Sequence, residues 1–253
     1  MANETVKKQI ESALAHGMKI GGNPNIADKL AALGVDTSHG SRIIPWEDFI
    51  EKVFSESQKK SALERVKAIP EIPDLPLPVV VGIYREILRC ITLGMNGAAI
   101  TLSSILVEYM LKYASFTTEA GGFQKYDAIK WDKYEENITF HTAIESAHRN
   151  GLLTKNRRDS LMNFKKLIRN PYLHYNIKKI TAGMIKKNVP RINLETETQE
   201  TVDLLADANP IIWADAKAFA DEKEVIHVFT YANEFVKEMW RKLSKLGRAP
   251  DTA

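Results

Sequence analysis

At 253 residues, with 44% hydrophobic and 26% charged residues, the chain has the composition of an ordinary globular protein and enough length for a sizeable core. Its net charge of +3 leaves no overall polyanion-binding character, so any such surface has to come from local clustering. A single cysteine, Cys90, excludes an internal disulfide, and a reducing cytoplasmic setting is expected.

Met1 to Ile10 carries Glu4, Lys7 and Lys8 and no apolar run, so no secretory leader is expected. Residues 3–17 read as a helix ending at Gly17, and Gly21-Gly22-Asn23-Pro24 as a loop. Ile26 to Leu33 reads as a short helix closed by Gly34, and Pro45-Trp46 opens another to about Ala68. Pro70, Pro73, Pro76 and Pro78 then forbid regular structure and predict a stiff linker. The expected organisation is a small helical N-terminal region over 1–69, a proline-rich linker over 70–78, a helical domain over 79–247 and a frayed tail over 248–253. The N-terminal region reads as a stabilising appendage, with a small recognition module as the alternative.

Cys90 to Val107 is uncharged and of membrane-spanning length, but Thr92, Gly94, Asn96, Gly97, Thr101, Ser103 and Ser104 interrupt it, so no membrane partner is expected. Gly94 to Gly97 reads as a turn between two buried helices. Leu102, Ile105, Leu106, Tyr109, Met110 and Tyr113 recur at steps of three and four, the apolar stripe of a helix facing a core. Gly121-Gly122 marks a loop, Ile138 to Asn150 a further helix, and Thr154 the cap of a helix running to Arg169. His141 and His148 read as surface or packing residues, and Cys90 as core filler. From Ile192 to Asn209 the chain turns acidic, either docking on basic residues or simply solvated. The last helix is predicted over about Trp213 to Leu246, burying Ile226, Phe229, Val236, Met239, Trp240 and Leu243. No strand-like alternation stands out, and no phosphate-binding glycine loop, zinc-ligand cluster or nucleophile elbow is present, so neither a metal nor a cofactor is expected.

The segment carrying chemistry is Arg169-Asn170-Pro171-Tyr172-Leu173-His174. Arginine is permanently charged and matches phosphate oxygens with a planar fork, while histidine exchanges a proton near pH 7. Together they supply what phosphodiester cleavage needs without a metal. A helix break is expected here: Pro171 starts a helix, Asn170 caps it, Arg169 ends the preceding one, and His174 lies one turn into the next beside a positive helix end. The bland reading of the same residues is an inter-helix turn. Glu108 lies off the apolar stripe of its helix, either as a solvated flank residue or as a carboxylate orienting Arg169 or His174.

Around this segment, from Arg149 to Arg191, twelve lysines and arginines stand against one acid, Asp159. Such clustering is the footprint of a surface that meets polyanions; solvated helix faces are the alternative. The candidates for contact with RNA phosphates are Arg157, Arg158, Lys165, Lys166, Lys178 and Lys179. Tyr172 and Tyr175 serve either for stacking on bases or for packing.

Arg169 to His174 resembles the R-x4-6-H signature of the HEPN superfamily, including the polar residue, here Asn170, after the arginine. Arg85 to Leu88 through Leu106 to Met110 resembles the first helical hairpin of such domains, and Ala143 to Leu153 the helix and turn before the motif helix. The resemblance spans roughly residues 75–247. It implies an all-α, HEPN-like helical bundle, a homodimer with two motifs facing each other, and metal-independent endoribonuclease activity on RNA. Arg169 and His174 would be catalytic, with Asn170, Glu108 and Tyr175 in support. A toxin or anti-phage defence role, with an antitoxin or regulatory protein as partner, belongs to the same expectation. One toxin subgroup carries a tyrosine two residues after the histidine; here Tyr175 follows His174 directly and Asn176 occupies that place. The alternative is a non-catalytic helical module that binds RNA, a nucleotide or a partner protein.

Overall fold

The computed structural model describes residues 55–193 and 198–246; the predicted elements before residue 55 and the tail from 247 lie outside the described residues. The described chain is mostly helical, as expected, with one two-stranded sheet. It divides into two compact units, a helical one made of 56–180 with 217 onward, and another that includes 181–216. The division therefore does not fall at the proline-rich segment.

The helical unit comprises α1 (Glu56–Lys67), α2 (Pro78–Thr92), α3 (Asn96–Ala120), α4 (Ala128–Asn137), α5 (Phe140–Arg149), α6 (Lys155–Phe164), α7 (Asn170–Leu173) and α8 (Ile177–Ile180), together with the part of α9 (Trp213–Leu246) from residue 217. Its core is built from faces set by helical spacing. Val80, Tyr84, Ile87 and Ile91 of α2 meet Leu106, Met110 and Leu111 of α3 and Phe229, Val236, Met239 and Leu243 of α9. The predicted turn between α2 and α3 is present, with Gly94 at a φ of 74°. Ser103 and Ser104 are tolerated in the buried face of α3 because each hydroxyl donates to a carbonyl four residues back, at 2.8 Å and 3.0 Å, so neither hydroxyl is left unpaired. Gly121, left-handed at φ 84°, ends the helix. On α4, Trp131 packs edge-on against Tyr109 and Tyr113, each with ring centroids 5.7 Å away.

The proline-rich segment is no free linker. Leu75 is buried in the main core, and Ile69, Ile72 and Leu77 pack against it. Asn233, wholly buried on α9, donates to the Glu71 carbonyl at 2.9 Å and accepts from the Tyr84 hydroxyl at 2.8 Å. Burial, reinforced by nearby Glu234, pushes the Tyr84 phenol well above its ordinary pKa, so it stays a donor.

In the other unit, β1 (Ile185–Asn193) and β2 (Thr198–Leu205) pair antiparallel, with Ile185 opposite Leu205, Val189 opposite Val202 and Arg191 opposite Glu200. The absence of strands read from the sequence is thus corrected. The register shifts between Lys186 and Val189, where Asn188 takes a left-handed φ of 54° and its amide donates to Asp203 at 3.0 Å. The bulge puts the apolar residues of β1 out of phase, which erases the period-two signal. Thr198 to Leu205 of the acidic segment form the partner strand. Ala206, Ile212 and Ala216 form a small separate core with Met184 and Leu204.

Replacing Asn233 with alanine removes the side-chain hydrogen bond to the Glu71 carbonyl and leaves the buried Tyr84 hydroxyl without its acceptor. Chemical denaturation should show a loss of about 2 kcal/mol, and native-state proteolysis should begin within 69–77. Unchanged stability and cleavage elsewhere would reject this anchoring.

Candidate functional site

The sequence motif lies where α6 runs into α7. Thr154 caps α6, its hydroxyl accepting from the Arg157 amide at 3.3 Å. At Lys165–Arg169 the helix widens into a π-turn, and the Asn170 amide donates to the carbonyl of Lys165, five residues back. Arg169 (φ −56°, ψ −54°) and Asn170 (φ −67°, ψ −44°) both stay right-handed helical. The expected break at Pro171, with Asn170 as cap, is therefore corrected: the helix carries the proline through. A proline clashes with the carbonyl four residues back and has no amide to give, and a π-turn just before it relaxes both demands. His174 therefore does not lie one turn into a new helix but ends α7 at φ −96°, ψ 8°.

Arg169 is held from several sides. Its Nε and Nη2 donate to Glu108 Oε2 at 3.1 Å and 2.7 Å, and its Nη1 donates to Asn170 Oδ1 at 3.0 Å. The other oxygen of Glu108 pairs with Lys112 at 3.1 Å, and the Phe140 ring lies 5.9 Å from the guanidinium. With the Glu108 side chain 15% exposed and that of Arg169 21%, Glu108 is no solvated flank residue. The cluster has two cations for one carboxylate. Three of the five guanidinium N–H groups are used, which leaves one on Nη1 and one on Nη2 for an incoming anion.

His174 is exposed, and no described residue hydrogen-bonds its ring. Because the chain stays helical from Arg169 to Leu173, the two residues project about 140° apart and do not meet within the chain. The structure joins Arg169, Asn170 and Glu108 and leaves His174 apart. Tyr175 comes next in a left-handed conformation, φ 48°, and is 66% exposed as a residue.

The six basic candidates separate into two groups. Arg157 lies over the Tyr231 and Phe235 rings at 5.0 Å and 5.1 Å, and its Nε stands 2.9 Å from Glu238 in an ion pair without hydrogen-bond geometry. Arg158 clamps Glu145, whose carboxyl is held below the usual range chiefly by that hydrogen bond, and also reaches Asp159 at 2.8 Å. These two arginines are committed within the fold. Lys166, Lys178 and Lys179 are exposed and lack ion pairs among the described residues, and Lys165 is half-buried. His141 is exposed, while His148 shares a 2.9 Å hydrogen bond with the Leu153 carbonyl.

Sequence reading did not single out Lys112, Lys217 or Asp221. Lys112 carried a signal in its spacing, four residues after Glu108. No group of three His, Cys, Asp or Glu suited to a metal occurs among the described residues, and no helix there is long and apolar enough to cross a membrane. No family model, curated protein or solved structure matches the chain.

A double-mutant cycle tests the cluster. Glu108→Ala should destabilise by about 2 kcal/mol, and combined with Arg169→Ala should return a coupling of about 1–2 kcal/mol in denaturant titrations. A coupling near zero would show that the pair does not hold Arg169.

Proposed function

We propose that this protein is a metal-independent endoribonuclease of HEPN type, acting as a homodimer in which Arg169 and His174 of two chains line one cleft. The observation that carries the reading is the state of Arg169: a guanidinium fixed by Glu108 and Asn170 with two donors left over, five residues before an exposed histidine. Exposed Lys166, Lys178 and Lys179 supply sequence-independent attraction for a phosphate backbone.

In this mechanism, His174 of one protomer takes the proton of a ribose 2′-hydroxyl as O2′ attacks phosphorus. The O2′–P bond forms, the P–O5′ bond breaks, and the imidazolium of the second protomer gives its proton to O5′. The products are a 2′,3′-cyclic phosphate and a 5′-hydroxyl. Arg169 stabilises the charge that builds on the phosphorane oxygens, and its preset orientation is what makes that stabilisation effective. Asn170, expected to hold a phosphate oxygen, spends its carbonyl on Arg169 and keeps its amide N–H groups for phosphate. Two chains are required because one motif holds one histidine, facing away from its own arginine. A toxin or defence role under an inhibitory protein partner fits this chemistry.

Purified protein should cut single-stranded RNA in EDTA, and its specific activity should fall on dilution below the dimer dissociation constant. Arg169→Ala and His174→Ala should each lower cleavage at least about 10²-fold with the helical fold intact. Either variant retaining full activity, or an active strict monomer, would overturn the mechanism.

The basic residues allow a separate measurement of binding. Changing Lys166, Lys178 and Lys179 to Gln should flatten the salt dependence of RNA affinity, by about 0.7 in log–log slope for each phosphate no longer neutralised, whereas Arg157→Gln should leave the slope alone. Equal slopes for all variants would mean these lysines are merely solvated. Binding intact in His174→Ala, alongside a wild type that never cuts, would favour the non-catalytic RNA-binding module.

A further inference from the structure

Lys217 and Asp221 form an ion pair one turn apart on α9, and at 9% and 6% exposed they are the two buried charged residues among those described. A buried ion pair stabilises no better than apolar side chains of the same volume, so what it holds in place is the informative question. The Tyr172 hydroxyl donates to the second oxygen of Asp221 at 2.8 Å. Burial, with that hydrogen bond second, raises the Tyr172 phenol far above its ordinary pKa and keeps it a donor. The Lys217 ammonium lies 5.4 Å from the Tyr172 ring centroid and 5.3 Å from that of Tyr175. The first turn of α3 closes over the pair so tightly that a Cβ on Gly97 would lie 2.6 Å from Asp221 Oδ2 and 2.7 Å from Lys217 Nζ.

The two tyrosines bracket His174 in a helix-ending turn. The Asn176 amide donates to the Pro171 carbonyl at 2.7 Å and the Tyr175 amide to the Tyr172 carbonyl at 3.2 Å, a pattern that requires a left-handed residue at 175. Glycine or asparagine is usual there, and a tyrosine is strained in this conformation, so contacts such as that of its ring with Lys217 have to offset the strain. We infer that Lys217 and Asp221 are positioning residues that clamp the Tyr172–Tyr175 turn and thereby fix the direction in which His174 presents its imidazole. The inference rests on His174 being the proton-transfer group of the proposed ribonuclease.

The test uses full-length protein and two readouts. In Lys217→Met/Asp221→Asn, which removes the cation while keeping an acceptor for Tyr172, amide hydrogen exchange at His174, Tyr175 and Asn176 should accelerate at least about 10-fold, with Met110 and Phe229 unchanged. In RNA cleavage that variant and Tyr175→Leu should each lose about 10-fold in kcat with KM within about twofold, while Tyr175→Phe, which keeps the ring, stays near wild type. Unaltered exchange at the turn, or Tyr175→Leu cleaving with wild-type kcat or raising only KM, would overturn the clamp. Should the double variant not fold, exchange in Tyr175→Leu decides. Should wild type fail to cut RNA at all, the ribonuclease reading falls and exchange alone judges whether the clamp exists.

Discussion

A proline inside a helix is the constraint on which the motif region depends. Pro171 has no amide to donate, and its ring would collide with the carbonyl four residues back in a regular α-helix. The chain answers with the π-turn at Lys165–Arg169, not with a break. Such a turn inserts extra backbone and rotates the helical segment after it relative to the segment before it. Arg169 stands at that junction and reaches Glu108 on α3, while Tyr172, one turn later, reaches Asp221 on α9. One local defect thus places successive residues of the motif against two different helices.

The polar contacts at the two anchoring points differ in kind. Around Glu108 the charges are unequal, with Arg169 and Lys112 on one carboxylate, so the cluster keeps a surplus positive charge and free donors where solvent reaches it. Around Asp221 the charges balance, solvent is excluded, and both carboxylate oxygens are used, one by Lys217 and one by Tyr172. A balanced buried pair favours a single geometry, because any other leaves a charge unsolvated. An unbalanced one that solvent still reaches favours an added anion.

The basic run shows the same sorting by side-chain type. Three of its five arginines face carboxylates contributed from elsewhere in the helical unit, Arg158 with Glu145, Arg157 with Glu238 and Arg169 with Glu108. Planar guanidinium groups suit partly buried, multidentate pairing, whereas the strongly hydrated ammonium of lysine stays in water. Lys166, Lys178 and Lys179 accordingly remain exposed, and the surplus of charge counted along the chain overstates the field a polyanion would meet.

Helix identity and burial were legible in the sequence wherever one physical rule acted alone. Apolar spacing located α9 with its buried Phe229, Val236, Met239 and Leu243; Thr154 and Gly121 marked helix ends because capping is a local matter of one hydroxyl or one left-handed residue. The chemistry of Arg169, Asn170 and His174 was visible as residue types. What the sequence could not express were outcomes of competition between local preference and distant contacts. Pro171 favours a helix start, yet packing of Tyr172 on α9 and of Arg169 on α3 keeps the helix continuous. Four prolines forbid regular structure in 70–78, but Asn233, 162 residues from Glu71 along the chain, decides that the segment lies on the core. The bulge at Asn188 hides a strand whose partner is the acidic segment. Period, caps and residue chemistry are properties of neighbours along the chain, and the sequence determined them by itself; which carboxylate answers which cation is set by groups that only folding brings within a few ångströms, and the tertiary structure alone decided it.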